Sequence, residues 1–325
     1  MKRFILIVSM ACIAALVLGA FQVVPAQAGE GKTRVMVQFR AGQGNAVKHA
    51  LEGAGAEFHY AFENLNAFAV SLPANAIEGI SHNPNVLLVE EDAPRYPISI
   101  QASSARVEPQ VTLTGQVAPY GIDMVQARDV WDKDRNGVVD TGAPTAANRK
   151  LCIIDSGLYT GHEDLSGLTA AGYSGNLIWN QDGSGHGSHV AGTIAAMNNT
   201  LGVLGVTPGT VQLYIVRVFG DDGAWAYSST LIDAANRCAA AGANVISMSL
   251  GGSRSSRTEQ TGFDALYAQG ILSIAAAGNE GTTAYSYPAS YNSVVSVAAI
   301  DASKVVADFS QKNDQVELAA PGVGC

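Results

Sequence analysis

The chain has 325 residues, of which 47% are hydrophobic and 14% are charged, and its 35 glycines predict many tight turns. This composition is typical of a compact folded protein and excludes an intrinsically disordered one. The formal net charge of −9 argues against nucleic acid or an anionic membrane surface as a partner.

The first 28 residues have the pattern of a secretory signal peptide. Two basic residues, Lys2 and Arg3, precede an apolar run from Phe4 to about Val24, and a small-x-small motif ends at Ala28. We expect cleavage after Ala28 and a secreted, extracellular product without membrane attachment. The alternative is an uncleaved membrane anchor, because the apolar run approaches the length that spans a bilayer.

Residues 33–95 predict a small domain. The segment RVMVQFR alternates as a half-buried strand does, and a helix is predicted near Ala46–Gly53. The segments AFAVSLP, NAIEGISHNP and VLLVEED then predict a strand, a helix and a strand. We interpret the order as β-α-β-β-α-β within about 60 residues, which is that of a ferredoxin-like α+β unit. Residues 96–115, within a stretch of Pro and Ser that starts near Ala93, predict a linker.

Residues 116–325 predict a larger α/β domain. The apolar segments KLCIID, LYIVRVFG, NVISMSLGG, ILSIAAAGN and SVVSVAAI alternate with the helical segments SHVAGTIAAM and STLIDAANRCAAA. Near-continuous apolar strands between helices are typical of a doubly wound parallel sheet.

Three polar side chains are predicted at the carboxyl edge of this sheet, where open α/β sheets bind ligands. Asp155 and Asn279 each end an apolar strand, and His186 opens a helix in the stretch GSGHGSHVAGT. In isolation that stretch would suit a helix-capping loop equally well. A zinc site formed by His186 and His189 is disfavoured, because helical zinc motifs place histidines four residues apart around a glutamate. A phosphate loop fits poorly, since its G-x-x-x-x-G-K pattern is missing.

Four motifs in order, LCIIDSGL, GHGSHVAGT, ISMSLGG and AAAGNEG, resemble those of the subtilisin family of serine endopeptidases. The resemblance runs from about Gln116 to the last residue, and the region before it resembles that family's inhibitory propeptide. It implies that His186 is the general base, that Asp155 orients it, and that Asn279 donates a hydrogen bond to the oxyanion. It also implies a proenzyme that hydrolyses peptide bonds through an acyl-enzyme and acts as a monomer. Its propeptide, cut within the linker, would be a partner in cis or in trans.

The resemblance further implies residues that hold an extended polypeptide substrate. One edge of the groove and the facing wall of a roomy apolar first pocket would be formed by Ser249, Leu250, Gly251, Ala276, Ala277 and Gly278. Gly223 and Tyr227 would form the second edge and a more distant aromatic pocket. Pairing along both edges reads the main chain and favours broad sequence tolerance.

Two segments predict structural calcium sites made of oxygen donors. The first resembles the family's calcium loop and would use Gln116, Asp164, Asn199 and the carbonyls of Met197, Leu201 and Val203. The second, DKDRNGVVD, follows the first half of an EF-hand loop and would use Asp132, Asp134, Asn136, Asp140 and the Val138 carbonyl. Ala143 replaces the bidentate glutamate of a full EF-hand. The alternatives are an Asn-rich turn and a solvated acidic turn.

The family's nucleophile motif, G-T-S-x-A, is expected just after ELAAPGVGC, but the sequence stops at Cys325. No other serine substitutes, because Ser247 and Ser249 belong to the substrate strand and Ser188 to the histidine loop. We therefore expect the incomplete sequence of an active protease. The alternative is a catalytically dead, truncated fold that keeps its propeptide as a binding module.

The cysteine count supports the same interpretation. After removal of the signal peptide, Cys152, Cys238 and Cys325 remain, which is an odd number. Cys152, in an apolar strand, is expected to be a small core residue.

Overall fold

A computed structural model describes residues 31–99 and 115–324. The predicted signal peptide, linker residues 100–114 and Cys325 lie outside the described residues. None of the helices in the described ranges is long and apolar enough to cross a membrane.

The amino-terminal domain is a four-stranded antiparallel sheet with two helices. In chain order it contains β1 (Lys32–Phe39), α1 (Gly44–Gly53), β2 (Glu57–Phe62), β3 (Ala67–Pro73), α2 (Ala74–Ser81) and β4 (Val86–Glu91), and a further strand, β5 (Pro94–Pro97), follows. The sheet order is β2-β3-β1-β4. The ferredoxin-like prediction is thereby confirmed, and Glu57–Phe62 supplies the one strand to which no segment had been assigned.

Strand β1 is buried on both faces, so the prediction of a half-buried strand is wrong. Val35 and Val37 belong to one apolar core with Leu51 of α1. Met36, which points to the other face, is fully buried in a second cluster with Ile232 of the larger domain. The two-residue alternation does not reveal this domain contact, because methionine is compatible with either an exposed or a buried position.

The larger domain is a seven-stranded parallel sheet between helices, as predicted. Its elements are α3 (Tyr120–Met124), α4 (Ala127–Trp131), β6 (Lys150–Asp155), β7 (Ala170–Tyr173), α5 (His186–Ala195), β8 (Gln212–Arg217), β9 (Ala226–Tyr227), α6 (Ser228–Ala240), β10 (Val245–Met248), β11 (Leu250–Gly251), α7 (Arg257–Ala268), β12 (Leu272–Ala276), β13 (Val294–Ile300) and β14 (Val316–Pro321). The strand order is β14-β13-β12-β10-β6-β8-β7. Ile154 packs with Leu231 of α6 on one face, and Ile153 packs with Ala191 of α5 on the other. Burial on both faces explains why the strands are almost continuously apolar.

A disulfide joins Cys152 of β6 to Cys238 of α6, across a sequence separation of 86 residues. The expectation that Cys152 is only a small core residue is therefore corrected. Both positions are fully buried. A buried cysteine in a disulfide and a buried free cysteine have the same apolar neighbours in sequence, so the sequence alone did not distinguish them.

The predicted linker begins as an ordered strand, which corrects its amino-terminal part. Strand β5 lies between β9 and β11 in an antiparallel three-stranded sheet. Arg95 pairs with Ala226, and Pro97 pairs with Leu250. Four residues with a proline at each end carry no apolar period, and both partner strands lie more than a hundred residues away in sequence, so the pattern concealed this strand.

Candidate active site

Asp155 and His186 meet at the carboxyl edge of the parallel sheet, because β6 ends at one and α5 begins at the other. Asp155 Oδ1 lies 2.7 Å from His186 Nδ1 and accepts a hydrogen bond from the Ser156 amide. The carboxylate is fully buried, and its Oδ2 has no partner among the described residues. A buried carboxylate needs a cationic or hydrogen-bonding partner, and the imidazole supplies one.

Glycine and Asp182 shape the turn that presents His186. A Cβ on Gly187 would meet the Gly157 carbonyl oxygen at 2.2 Å, so only glycine allows this approach. Asp182 accepts hydrogen bonds from the amides of Gly185 and Ser188 at the start of α5. Burial would raise the pKa of Asp182, but these bonds and those from the Ser188 and Ser156 hydroxyls hold it below its usual value. Sequence reasoning missed Asp182, although an acid just before a helix start is a capping signal.

The pKa of His186 lies above its ordinary value. Burial alone would lower it, but the hydrogen bond and the negative charge of Asp155 outweigh burial. The second ring nitrogen, Nε2, lies 2.9 Å from the carbonyl oxygen of Ile98. Because both ring nitrogens face acceptors, this arrangement is satisfied by the doubly protonated imidazolium.

Asn279 contacts the same segment one residue further along. Its Nδ2 donates to the carbonyl of Ser99 at 2.7 Å. His186 and Asn279 therefore contact two consecutive carbonyls of the chain that leaves β5. The preceding Gly278 has a φ of +116°, a conformation that favours glycine, and a Cβ there would lie 2.7 Å from Gln311 Cγ.

The predicted substrate residues form a groove that is filled by β5. The Ser249 carbonyl accepts a hydrogen bond from the Ile98 amide at 2.9 Å, and Leu250 and Gly251 form β11 along one edge. Tyr227 lies in β9 on the opposite edge. Ala276 is the last residue of β12, and Ala277 and Gly278 lead from it to Asn279.

One residue predicted for the second edge of the groove, Gly223, lies outside the strand that pairs with β5. Gly223, with a φ of +70°, lies in the turn before β9. Ala226, which sequence reasoning missed, takes the pairing position opposite Arg95.

Two acidic residues at the end of β4 hold the amino-terminal domain on the helices of the larger one. Glu90 accepts hydrogen bonds from the amides of Arg257 and Thr258 at the start of α7. The buried Asp92 accepts from the Ser229 amide and from both hydroxyls at the start of α6, and Arg34 pairs with it at 2.8 Å. Carboxylates at helix N-termini are stabilised by free amides and by the helix dipole. Sequence reasoning missed both, since their partners at the helix starts lie more than a hundred residues away.

The first calcium loop brings Gln116, Asn199 and the carbonyls of Met197 and Val203 together, whereas a ligand role of the Leu201 carbonyl stays a prediction. Gln116 Nε2 lies 2.6 Å from the Met197 carbonyl, 3.1 Å from the Val203 carbonyl and 3.4 Å from Asn199 Oδ1. Gln116 Oε1 accepts from the Asn199 amide at 3.1 Å, so the side-chain amide would have to turn over for Oε1 to face the same oxygens. Asp164 is buried and its Oδ1 has no partner among the described residues. Leu201 contributes its amide, which donates to Asn199. This donor set fits a hard cation.

The second calcium loop is closed by its own hydrogen bonds. Asp132, Asp140 and Asn136 accept from the amides of Gly137, Lys133 and Val138, respectively. Asp134 accepts from Asn136, and Arg128 already faces Asp132 at 3.6 Å. Within residues 31–99 and 115–324, no three His, Cys, Asp or Glu side chains are grouped to hold a metal. A calcium ion in this loop stays a prediction.

A cavity of about 620 Å³ lies beside the site, between α3, α5 and β14. Its lining includes the apolar Ile122, Leu165, Val206 and Pro321 as well as Asp164 and Asp182. The space borders the first turns of α5, the helix that His186 begins.

Comparison with known proteins agrees with this architecture. A family model described as "Subtilase family" matches residues 146–324, and one described as "Peptidase inhibitor I9" matches residues 34–97. Subtilisin DY from Bacillus licheniformis is 40% identical over 212 residues, which cover 64% of this chain and 73% of that protein. M-protease from Shouchella clausii (strain KSM-K16) is 32% identical over 294 residues, which cover 90% of this chain and 70% of that protein.

A solved structure shares the fold. The psychrophilic subtilisin-like protease Apa1 from the Antarctic psychrotroph Pseudoalteromonas sp. AS-11 superposes with a TM-score of 0.56 at 44% sequence identity. The match covers 63% of this chain and 46% of that chain, so the present chain spans less than half of that solved protein.

Proposed function

Because the chain belongs to the subtilase family, we propose that it is the proenzyme (zymogen) of a secreted, calcium-stabilised serine endopeptidase. The observation that supports this proposal best is the placement of residues 94–99. They pair with both edges of the groove and present consecutive carbonyls to His186 and Asn279. This is the arrangement that a polypeptide substrate of an endopeptidase would take.

The proposed reaction assigns one task to each polar group. The neutral imidazole of His186 accepts the proton of a serine hydroxyl as its oxygen attacks the substrate carbonyl, and Asp155 stabilises the resulting imidazolium. Asn279 donates to the oxyanion of the tetrahedral intermediate. The imidazolium then protonates the leaving amine, and water releases the acyl group by the same steps. We expect the serine itself after Gly324, in the place that the family's motif order gives it.

We infer that the amino-terminal domain blocks the unprocessed enzyme in two ways. Strand β5 fills the groove, and the Ile98 carbonyl occupies the ring nitrogen that would have to accept a proton. The bond that follows this carbonyl, Ile98–Ser99, is the proposed site of the first cleavage. It lies in the segment 96–115 that the sequence predicts as a linker with the maturation site. Asn279 donates to the next carbonyl, that of Ser99, so the segment would shift by one carbonyl for Asn279 to reach the oxyanion formed at Ile98.

Calcium at the first loop would be structural. Gln116, Asp164, Asn199 and the carbonyls of Met197 and Val203 would hold the ion, which would fix the start of the larger domain to the loop after α5. Secretion is supported by the residues before Ala28 and by the Cys152–Cys238 disulfide, since disulfides persist in oxidising compartments.

The test begins with the encoding DNA read past codon 325. An open frame with Gly-Thr-Ser followed by a helical pattern supports the protease, whereas a stop codon favours the inactive binding module. The encoded protein is then expressed, and its amino terminus is sequenced after maturation. We expect self-cleavage to create an amino terminus at Ser99 in the unsubstituted protein and in a His49→Ala control. We expect no such cleavage in His186→Ala. Efficient self-cleavage by His186→Ala would sink the assigned role of this histidine.

A further inference from the structure

A buried ion pair links the strand in the groove to the wall behind it. The Arg95 side chain leaves β5 and is fully buried, as is Glu259 of α7. Its Nε and Nη2 donate to the two carboxylate oxygens of Glu259 at 2.9 and 2.5 Å, a bidentate contact. Such a contact fixes both the charge and the planar shape of its partner.

The pocket around this pair is built for a guanidinium group. The Tyr291 hydroxyl donates at 2.7 Å to Glu259 Oε2, the same oxygen that accepts from Arg95 Nη2. A Cβ on Gly252 would lie 3.0 Å from Arg95 Nη1 and 2.4 Å from the Pro94 carbonyl, so glycine leaves the room that the side chain occupies. The third arm, Nη1, donates to that same carbonyl at 2.8 Å.

The two partners belong to the two parts that the proposed cleavage would separate. Arg95 lies on the amino-terminal side of Ile98–Ser99, and Glu259 lies in the larger domain. When the amino-terminal part leaves, Tyr291 is the one side chain within the described residues that still donates to the Glu259 carboxylate. The emptied pocket then lacks the guanidinium that donated to both carboxylate oxygens. Burial raises the pKa of Glu259, and a cation in the pocket opposes that rise.

We propose that Glu259 makes this pocket a cation-specific subsite, which selects arginine as the fourth residue on the amino-terminal side of the cleaved bond. This inference rests on the proposed function and adds to it a residue that determines substrate choice. Arg95 is three residues before Ile98, whose carbonyl meets His186, so a substrate in the same register places its own fourth residue against Glu259. An apolar residue there would leave a buried carboxylate unpaired, and lysine would lack the second donor of the fork.

The ion pair is expected to affect selectivity more than stability. Two buried charges lose hydration, and their attraction roughly offsets that loss. An uncharged residue in the pocket makes no ion pair but still excludes water from Glu259. Discrimination depends on this difference in binding free energy between arginine and the uncharged residue.

The experiment uses the mature protein and four peptides that repeat residues 95–99. They differ only in the first residue, which is arginine, lysine, citrulline or norleucine, and mass spectrometry identifies the cleaved bond. We expect kcat/KM for arginine to exceed that for citrulline, which has the same shape without the charge, by about 30-fold or more. Glu259→Gln should reduce this ratio to about threefold with little change for norleucine. Asp264→Asn, an exposed change on the same helix, should retain the full ratio.

A second variant and a binding measurement test the same pocket if Glu259→Gln does not fold or the protein does not cleave the peptides. Should Glu259→Gln not fold, Glu259→Leu replaces the carboxylate with an apolar group of similar size and should invert the preference toward norleucine. Calorimetry with the tetrapeptides that end at the Ile98 position needs no turnover. If the chain does not cleave itself, a recognition site for another protease is inserted into residues 100–114, and that protease cuts the chain there. The amino-terminal part then competes with the peptides for the groove and lowers the apparent affinity of all four equally.

The outcomes separate the two proposals. Cleavage of all four peptides at similar rates would overturn the inference and leave the protease intact. Absence of cleavage, with tight binding of the arginine peptide alone, would refute the protease and support the pocket. Equal binding of the arginine and norleucine peptides to the unsubstituted protein would overturn the pocket in either case.

Discussion

The amino-terminal domain contacts the larger domain in two regions of unlike chemistry. In the first, its sheet covers α6 and α7 with Met36 against Ile232, while Glu90 and Asp92 cap the helix starts. In the second, residues 94–99 pair with the groove and reach His186 and Asn279. The first region contains no proposed catalytic group, and the second contains two.

The difference separates binding from blocking. Contacts of the sheet survive a cut at Ile98–Ser99, because they all lie before the cut. Contacts of residue 99 with the catalytic groups do not need to survive it. After the proposed cleavage, a domain docked by its sheet would therefore remain bound, and under the proposed function the groove contacts would decide how quickly a substrate replaces it.

The largest effect is expected from His186→Ala, which acts on the groove alone. Without the base, the rate of self-cleavage should fall by several orders of magnitude, since only the oxyanion donor and binding remain. The intact chain, followed by gel electrophoresis and mass spectrometry, measures the rate. Its melting temperature should fall, because the buried Asp155 loses its hydrogen-bond partner, so circular dichroism first checks that the variant is folded at the temperature of the assay.

Asp92→Ala acts on the docking region alone. It leaves Arg34 and the start of α6 without their buried acceptor, and we expect a loss of about 3 kcal/mol in the docking free energy. Urea unfolding in the His186→Ala background measures it, since no cleavage intervenes there. Glu91→Ala is the matched control: its neighbouring ion pair with Arg254 is exposed and should contribute less than about 1 kcal/mol. Equal losses from both variants would contradict the assigned role of Asp92.

The pH dependence should distinguish the two regions in one titration. The pKa of His186 is raised above 6.5 mainly by Asp155, against the effect of burial. Its imidazolium therefore stabilises the docked strand at low pH, and this contribution is lost as pH rises through the raised pKa. Self-cleavage needs the neutral ring, so its rate should fall about tenfold per pH unit below that pKa and level off above it.

A second histidine needs a control in that titration. Burial and the nearby Arg34 lower the pKa of His59 in the docking domain, so protonation there would weaken the domain as pH falls below 6.5. His59→Gln should leave the pH profile of cleavage unchanged. A profile that moves with this variant would assign the effect to the docking region instead.

The smallest effect is expected from Ile232→Val, which shortens the apolar contact under Met36. Removing one buried methylene should cost about 1 kcal/mol of docking free energy, or roughly a fivefold weaker association. The same unfolding experiment measures it. Self-cleavage should keep its rate, and a large change in that rate would show that the two regions are coupled.

Sequence analysis predicted the parts of this molecule that depend on local pattern. The α+β order of the small domain and the parallel sheet of the larger one followed from apolar strands and helical segments, and the positions of Asp155, His186 and Asn279 followed from ordered motifs. The missed features depend on partners that are far away in the chain. Nothing near Glu259 or Asp92 indicates Arg95 or Ser229, and the strand Pro94–Pro97 has no apolar period because its partners are the edges of a groove.

The Cys152–Cys238 disulfide has a consequence for where this chain can mature. The 86-residue loop that it closes contains Asp155, His186, Tyr227 and all residues of the first calcium loop except Gln116. Closing a loop of that length lowers the entropy of the unfolded chain by an amount worth about 4–5 kcal/mol at 25 °C. In a thiol-reducing cytosol the two cysteines would stay unlinked and this restraint would be missing. A chain retained there would therefore have a less stable fold than the disulfide-bonded chain, and its groove would be assembled less completely.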